Sequence, residues 1–97
     1  MASAIIELQL PRLAGTRFAA QEFLSKLPAD LSMISVLVDC SESAVAAQGY
    51  VDELCKGVLE LRGAAMLTLK SPSEDMLRNA LRSVNLRNIG PLGVDRS

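Results

Sequence analysis

The sequence contains no histidine and no tryptophan, and its aromatic residues are one tyrosine and two phenylalanines. Lack of histidine removes the commonest general base near neutral pH and the commonest nitrogen ligand for zinc. Only two cysteines are present, Cys40 and Cys55, so no paired-cysteine metal spacing exists. Neither a metal nor a cofactor is expected, and the glycine-rich signatures of phosphate and dinucleotide loops are absent. Both cysteines read as free thiols in a reducing cytoplasm. Long apolar runs are missing as well. The run "LSMISVLV" between Asp30 and Asp39 falls far short of the roughly 20 residues that cross a bilayer. The opening "MASAIIELQL" has no basic region and is interrupted by Glu7, which argues against a signal peptide. Charge of one sign is also lacking: 10 basic residues face 11 acidic ones, a formal net charge of −1. That balance supplies no field for nucleic acid or a membrane surface. A cytoplasmic protein that binds neither is expected.

What is present is apolar content. At 97 residues and 49% hydrophobic, the chain suffices for one domain with a core. Such a domain buries roughly two-thirds of the surface that its unfolded chain exposes. Disorder would need lower hydrophobicity and a larger net charge.

Periodicity then divides the chain. Residues 3–10 alternate, with Ile6, Leu8 and Leu10 on one side and Ile5, Glu7 and Gln9 on the other, as in a half-buried strand. "PRLAGT" reads as a loop. Thr16 can cap a helix whose apolar face is Ala20, Phe23, Leu24 and Leu27, with Pro28 as its stop. "MISVLV", 33–38, is nearly all apolar and suggests a strand buried on both faces. Over 48–62 a second helix is expected, with Val51, Leu54, Cys55, Val58 and Leu59 inward and Asp52, Glu53, Lys56 and Glu60 in water. Gly57 would let it pack closely on the sheet, and Gly63 would end it. "AAMLTL", 64–69, is a third strand. "SPSE", 71–74, reads as a capping box with Ser71 at the cap and Pro72 in the first turn. A last helix follows with Leu77, Ala80, Leu81 and Val84 at helical spacing. The order βαβαβα implies an α/β fold: a small mostly parallel or mixed sheet with packed helices. Residues 1–90 form the expected domain, and 91–97 the expected flexible C-terminal tail.

In such sheets, ligands and partners gather at the carboxyl ends of the strands. The segment "VDCSESAVAAQGYVDELC", 38–55, lies there. As an enzyme site it is poor. Asp52 and Glu53 are helical neighbours that do not face each other, and Cys40 has no histidine to activate it. Gly49 alone does not make a phosphate cradle. A docking surface remains, with small residues that permit close approach and Tyr50 as an anchor, beside the plain reading of Tyr50 in the core and the acids in water. Arg78, Arg82 and Arg87 read as solvated surface rather than a nucleic-acid face.

Asp39-Cys40-Ser41, followed after a short loop by Tyr50-Val51-Asp52-Glu53-Leu54, resembles the STAS-like family of small bacterial and phage domains, a family of unassigned function. "GTRFAAQEFL" is similar to the opening of that family's first helix, and "SPSEDMLRNALRSVNL" to its last. The resemblance covers about residues 13–87. It implies kinship with the STAS-domain anti-sigma-factor antagonists, which dock a histidine-kinase-like ATPase and have no active site of their own. Their switch is a phosphorylated serine at the start of the helix after the central strand. Here that place falls around Ala47, Gln48 or Gly49, none of which can be phosphorylated.

The function expected is therefore a non-enzymatic regulatory module with no catalytic residues. It would dock a protein partner, of the histidine-kinase-like ATPase class, through Ser41, Ser43, Gln48, Gly49, Asp52, Glu53 and Lys56. The alternative is a small-ligand or nucleotide-binding domain at the same strand ends. The strand at 3–10 could also pair a second copy into a homodimer.

Overall fold

The computed structural model describes residues 4–96. Ser3 of the expected first strand, residues 1–3 of the expected domain and Ser97 of the expected tail lie outside them. The main sheet has four parallel strands: β1 (Ala4–Gln9), β3 (Ile34–Asp39), β5 (Met66–Lys70) and β6 (Leu92–Asp95), in the order β1-β3-β5-β6. A short parallel ribbon joins β2 (Leu13–Ala14) to β4 (Val45–Ala46). Helices α1 (Arg17–Leu24), α2 (Gln48–Cys55) and α3 (Glu74–Arg87) connect the main strands. A π-helical turn, Lys56–Leu61, continues α2.

Each main strand is added to the same side of the one before it. With crossovers of one hand, the intervening helices fall on one face of the sheet. They lie side by side there, α1 against α2 and α2 against α3. Burial therefore alternates along the strands. Val36, Val38 and Cys40 on and after β3, and Leu67 and Leu69 on β5, are buried under the helices. Ser35, Leu37, Asp39, Met66, Thr68 and Lys70 are only half-buried. The expectation that 33–38 is buried on both faces is thus corrected: no helix among the described residues covers the second face.

The apolar helix faces match the periodicity. Ala20, Phe23, Leu24 and Leu27 are buried, as are Val51, Leu54, Cys55, Val58 and Leu59. Thr16 caps α1, its Oγ1 accepting from the Ala19 N–H at 3.0 Å. Three local expectations fail for identifiable reasons. The cap of α3 is Ser73, whose Oγ accepts from the Met76 N–H at 3.1 Å. Ser71 instead sits at φ 52° and donates its backbone N–H to Asp95 O at 2.7 Å, closing the end of the β5–β6 pair. Leu81 is 46% exposed, and the buried stripe of α3 runs Met76, Ala80, Ser83 and Val84. The expected flexible tail contains β6, which pairs with β5 from Leu67↔Leu92 to Lys70↔Asp95. A strand of four residues is too short to announce itself by period, and its pairing groups come from β5.

Gly57 marks a close approach, made to α1 rather than to the sheet. A Cβ there would stand 2.3 Å from Leu24 Cδ1 and 3.2 Å from Leu24 Cγ. Leu24 is itself buried, so its whole side chain would have to move. Nearby, the Arg62 guanidinium donates to Gly57 O at 3.3 Å and to Leu24 O at 3.4 Å, tying the two helix ends together. Gly57→Ala should therefore destabilise the fold by about 1–3 kcal/mol through overpacking. That outweighs alanine's helix advantage of at most about 1 kcal/mol over glycine. Urea denaturation of the two proteins measures the sign directly, and a stabilised variant would contradict the packing argument.

Candidate functional site

β3 delivers its chain to the carboxyl edge of the sheet at Asp39. The Asp39 carboxylate accepts from the Ser41 N–H at 2.9 Å, which turns the chain. That bond and the Ser41 hydroxyl hold the Asp39 carboxyl below its ordinary range. Ser43 N–H donates to Cys40 O at 3.1 Å, and Ser43 Oγ donates to Val45 O at 3.2 Å, which tightens the turn further. The chain then enters β4 beside β2. Sequence reasoning treated both ribbon strands as loop, because two residues carry no readable period. Their alternation is visible only in space: Ala14 is buried and Ala46 half-buried, while Leu13 and Val45 are 71% and 51% exposed and face each other across the register. Phe18, in the first turn of α1, is 69% exposed.

α2 starts at Gln48 with Ala47 as an N-cap that offers no side-chain bond. Being the middle helix, it presents one flank to α1 and the other to α3. Asp52 stands between them. Its carboxylate accepts a two-pronged pair from Arg87, Nε at 3.0 Å and Nη2 at 2.8 Å. It also accepts from Arg17 Nη1 at 2.8 Å and from Ser83 Oγ at 2.6 Å. Glu53, only 7% exposed, accepts from Arg17 Nη1 at 3.4 Å and Gln21 Nε2 at 3.3 Å. Arg87 reaches on to Glu60 at 3.5 Å. The Arg87 hydrogen bonds, helped by Ser83 and Arg17, hold the Asp52 carboxyl far below the usual aspartate range against the opposing effect of burial. Reciprocally, Asp52 raises the already high value of the Arg87 guanidinium.

This knot changes the standing of two predicted site residues. Asp52 and Glu53 were placed on an exposed helix face and are corrected here: Glu53 is buried, and both carboxylates are engaged by α1 and α3. Asp52 pairs across helices with Arg17 and Arg87 rather than along its own helix with Lys56. Of the other predicted residues, Ser41 and Gln48 are exposed, and Ser43 and Lys56 are half-buried. Gly49 lies against α1, where a Cβ would stand 3.3 Å from Arg17 Cγ. Tyr50 is wholly buried, its ring centroid 6.3 Å from that of Phe23 and tilted by 54°. It is a core residue and cannot serve as a surface anchor. Burial pushes its hydroxyl up to about 12.

Sequence reasoning missed Arg17, Ser83 and Arg87 as partners of Asp52. One signal was available: Ser83 interrupts an otherwise apolar helical stripe. The three arginines near the C-terminus do not act together, since Arg78 pairs with Asp75 at 3.0 Å and Arg87 with Asp52. Burial pushes both thiols up to about 12 and leaves them poor nucleophiles. Among the described residues, no group of three or more His, Cys, Asp or Glu side chains could hold a metal. None of the described helices is long and apolar enough to cross a membrane.

The knot yields a stability prediction. Asp52→Asn should cost about 2 kcal/mol at pH 7, because two arginines lose their charged acceptor. The folded carboxyl titrates below its unfolded value near 3.9. Its contribution is thus fully present above about pH 5 and lost as pH falls through the acid range. Denaturation of both proteins from pH 7 to pH 3 should show the gap between them closing at low pH. A constant gap would mean that the carboxylate charge is not what matters.

Compared with protein-family models, curated proteins and solved structures, the chain matches none.

Proposed function

We propose that the protein is a non-enzymatic regulatory module that docks a protein partner at the carboxyl edge of its sheet. The observation that carries this reading is the pair of apolar side chains, Leu13 and Val45, held outward on the β2–β4 ribbon. Exposed apolar side chains grouped on an ordered surface favour a partner that covers them. Ser41, Glu42 and Ser43 border the ribbon as a polar rim, and Gln48 follows it at the start of α2. Within the 40–53 segment, the docking role thus moves from Asp52 and Glu53 to the ribbon and its turn.

The resemblance to STAS-like domains makes a histidine-kinase-like ATPase the partner class to test first. Ala47, Gln48 and Gly49 at the switch position make that docking independent of phosphorylation. No cofactor enters the reading. Two buried free thiols are in keeping with work in the reducing cytoplasm.

Charge reversal at Asp52 or Glu53 would break the helix layer and so cannot probe docking. Leu13→Lys with Val45→Glu can, because both side chains point into water and the two new charges attract across the register. The double variant should keep its circular dichroism spectrum and lie within about 0.5 kcal/mol of the parent in stability. A histidine-kinase-like ATPase retained from lysate by the parent and lost by the variant supports the reading. Retention by both places docking elsewhere. A nucleotide that raises the melting temperature of both proteins equally would instead favour a small-ligand domain.

A further inference from the structure

The second face of the main sheet carries no helix among the described residues. Parallel sheets occur almost only with both faces covered. The register divides this face into rows that run across the strands. The first row is Ile5, Ser35 and Met66. The next is Glu7, Leu37, Thr68 and Gly93. The last, at the carboxyl edge, is Gln9, Asp39, Lys70 and Asp95. On the two central strands these side chains are only half-buried, and Ile5 is 70% exposed.

The face is low in relief near β6. A Cβ on Gly93 would stand 2.6 Å from Met66 Cε and 3.2 Å from Thr68 Oγ1. The Met66 side chain thus lies over the Gly93 backbone, and a methionine adapts readily to an opposing surface.

We propose that this face packs against the same face of a second copy of the chain. The two-fold axis runs parallel to the strands, midway between β3 and β5. Such an axis keeps each row at its own level and reverses its order. Asp39 then faces the partner's Lys70, and Lys70 the partner's Asp39. On the outer strands Gln9 faces the partner's Asp95. In the middle row Leu37 faces the partner's Thr68, while Glu7 meets the partner's Gly93 at the rim, in reach of water. In the first row Ser35 faces the partner's Met66. Other placements of the axis fit worse. One across the strands at the middle row would lay Lys70 on the partner's Met66 and set Glu7 against its own copy. One under β3 or β5 would oppose Asp39 to Asp39 or Lys70 to Lys70. The order of charges in the last row therefore selects a second copy, in one arrangement. Sheets stacked face to face keep their strands within about 30° of each other, which displaces the pairs nearest the axis least. The two-fold closes the assembly at a dimer. The homodimer contact is thus the open face of the sheet rather than its β1 edge, and it is independent of the docking role proposed for the β2–β4 ribbon.

Sedimentation equilibrium over a concentration series tests this on the whole chain. The parent should fit a monomer–dimer equilibrium. Leu37→Lys sets a charge in the middle of the face, beside Glu7 of its own chain, and should abolish the dimer while the circular dichroism spectrum is kept. D39N retains an oxygen for the Ser41 N–H, and K70Q retains a polar side chain. Each removes two symmetry-related charge pairs and should raise the dissociation constant about tenfold. D39N/K70Q should be little weaker than either single variant, because the same pairs are already gone. Should Leu37→Lys fail to fold, this cycle decides alone. A parent that stays monomeric, a dimer that survives Leu37→Lys, a dimer to which D39N and K70Q are indifferent or additive, or an open series of larger oligomers overturns the proposal.

Discussion

Asp52 is the point on which the helix layer depends. Apolar packing brings three helices onto one face of a sheet, but it is not directional and leaves their rotation loosely set. A carboxylate placed between all three removes that freedom. It is four-fifths buried, a position that would be costly for an unpaired charge. Arg17 from α1, and Ser83 with Arg87 from α3, satisfy it together. The two-pronged Arg87 contact demands a planar geometry that few rotations of α3 provide. Glu53, Gln21 and Glu60 extend the same network along both seams. The polar residues of α2 that looked most available for chemistry are the ones that hold the layer in place.

That assignment leaves function to the parts of the surface the knot does not use. At the carboxyl edge, the β2–β4 ribbon turns small alanines inward and larger apolar residues outward. Behind the helix layer, the second face of the sheet carries no helix. Each follows from the strand order. Because every strand is added on the same side, the helices march in step with the strands, and all of them fall on one face. A sheet wound in both directions from its centre would have covered β1 and both of its faces.

The buried thiols and Tyr50 show how composition alone misleads about sites. Cys40 sits one residue from a strand-end aspartate, where a reactive group would be convenient, yet its side chain takes the next core-facing position after Val38 and loses contact with water. Tyr50 precedes the knot by two residues and faces the opposite way, into Phe23. Alternation along a strand and rotation along a helix decide these fates, and both were present in the sequence as periods.

Period is what this sequence determined by itself. The apolar faces of α1 and α2, the inward side of β1 and the alternation of strands with helices all follow from spacings of two, three or four residues, because such spacings reflect backbone geometry that is local to the chain. Short elements escaped: β2 and β4, two residues each, pair only with each other, β6 pairs only with β5, and the cap of α3 is Ser73 because Ser71 bonds to the end of β6. The site escaped for a stronger reason. Arg17, Ser83 and Arg87 lie 31–35 residues from Asp52 along the chain. They meet it only because the strand order sets α1 and α3 on either side of α2. That order is an outcome of long-range pairing, and no local spacing encodes it.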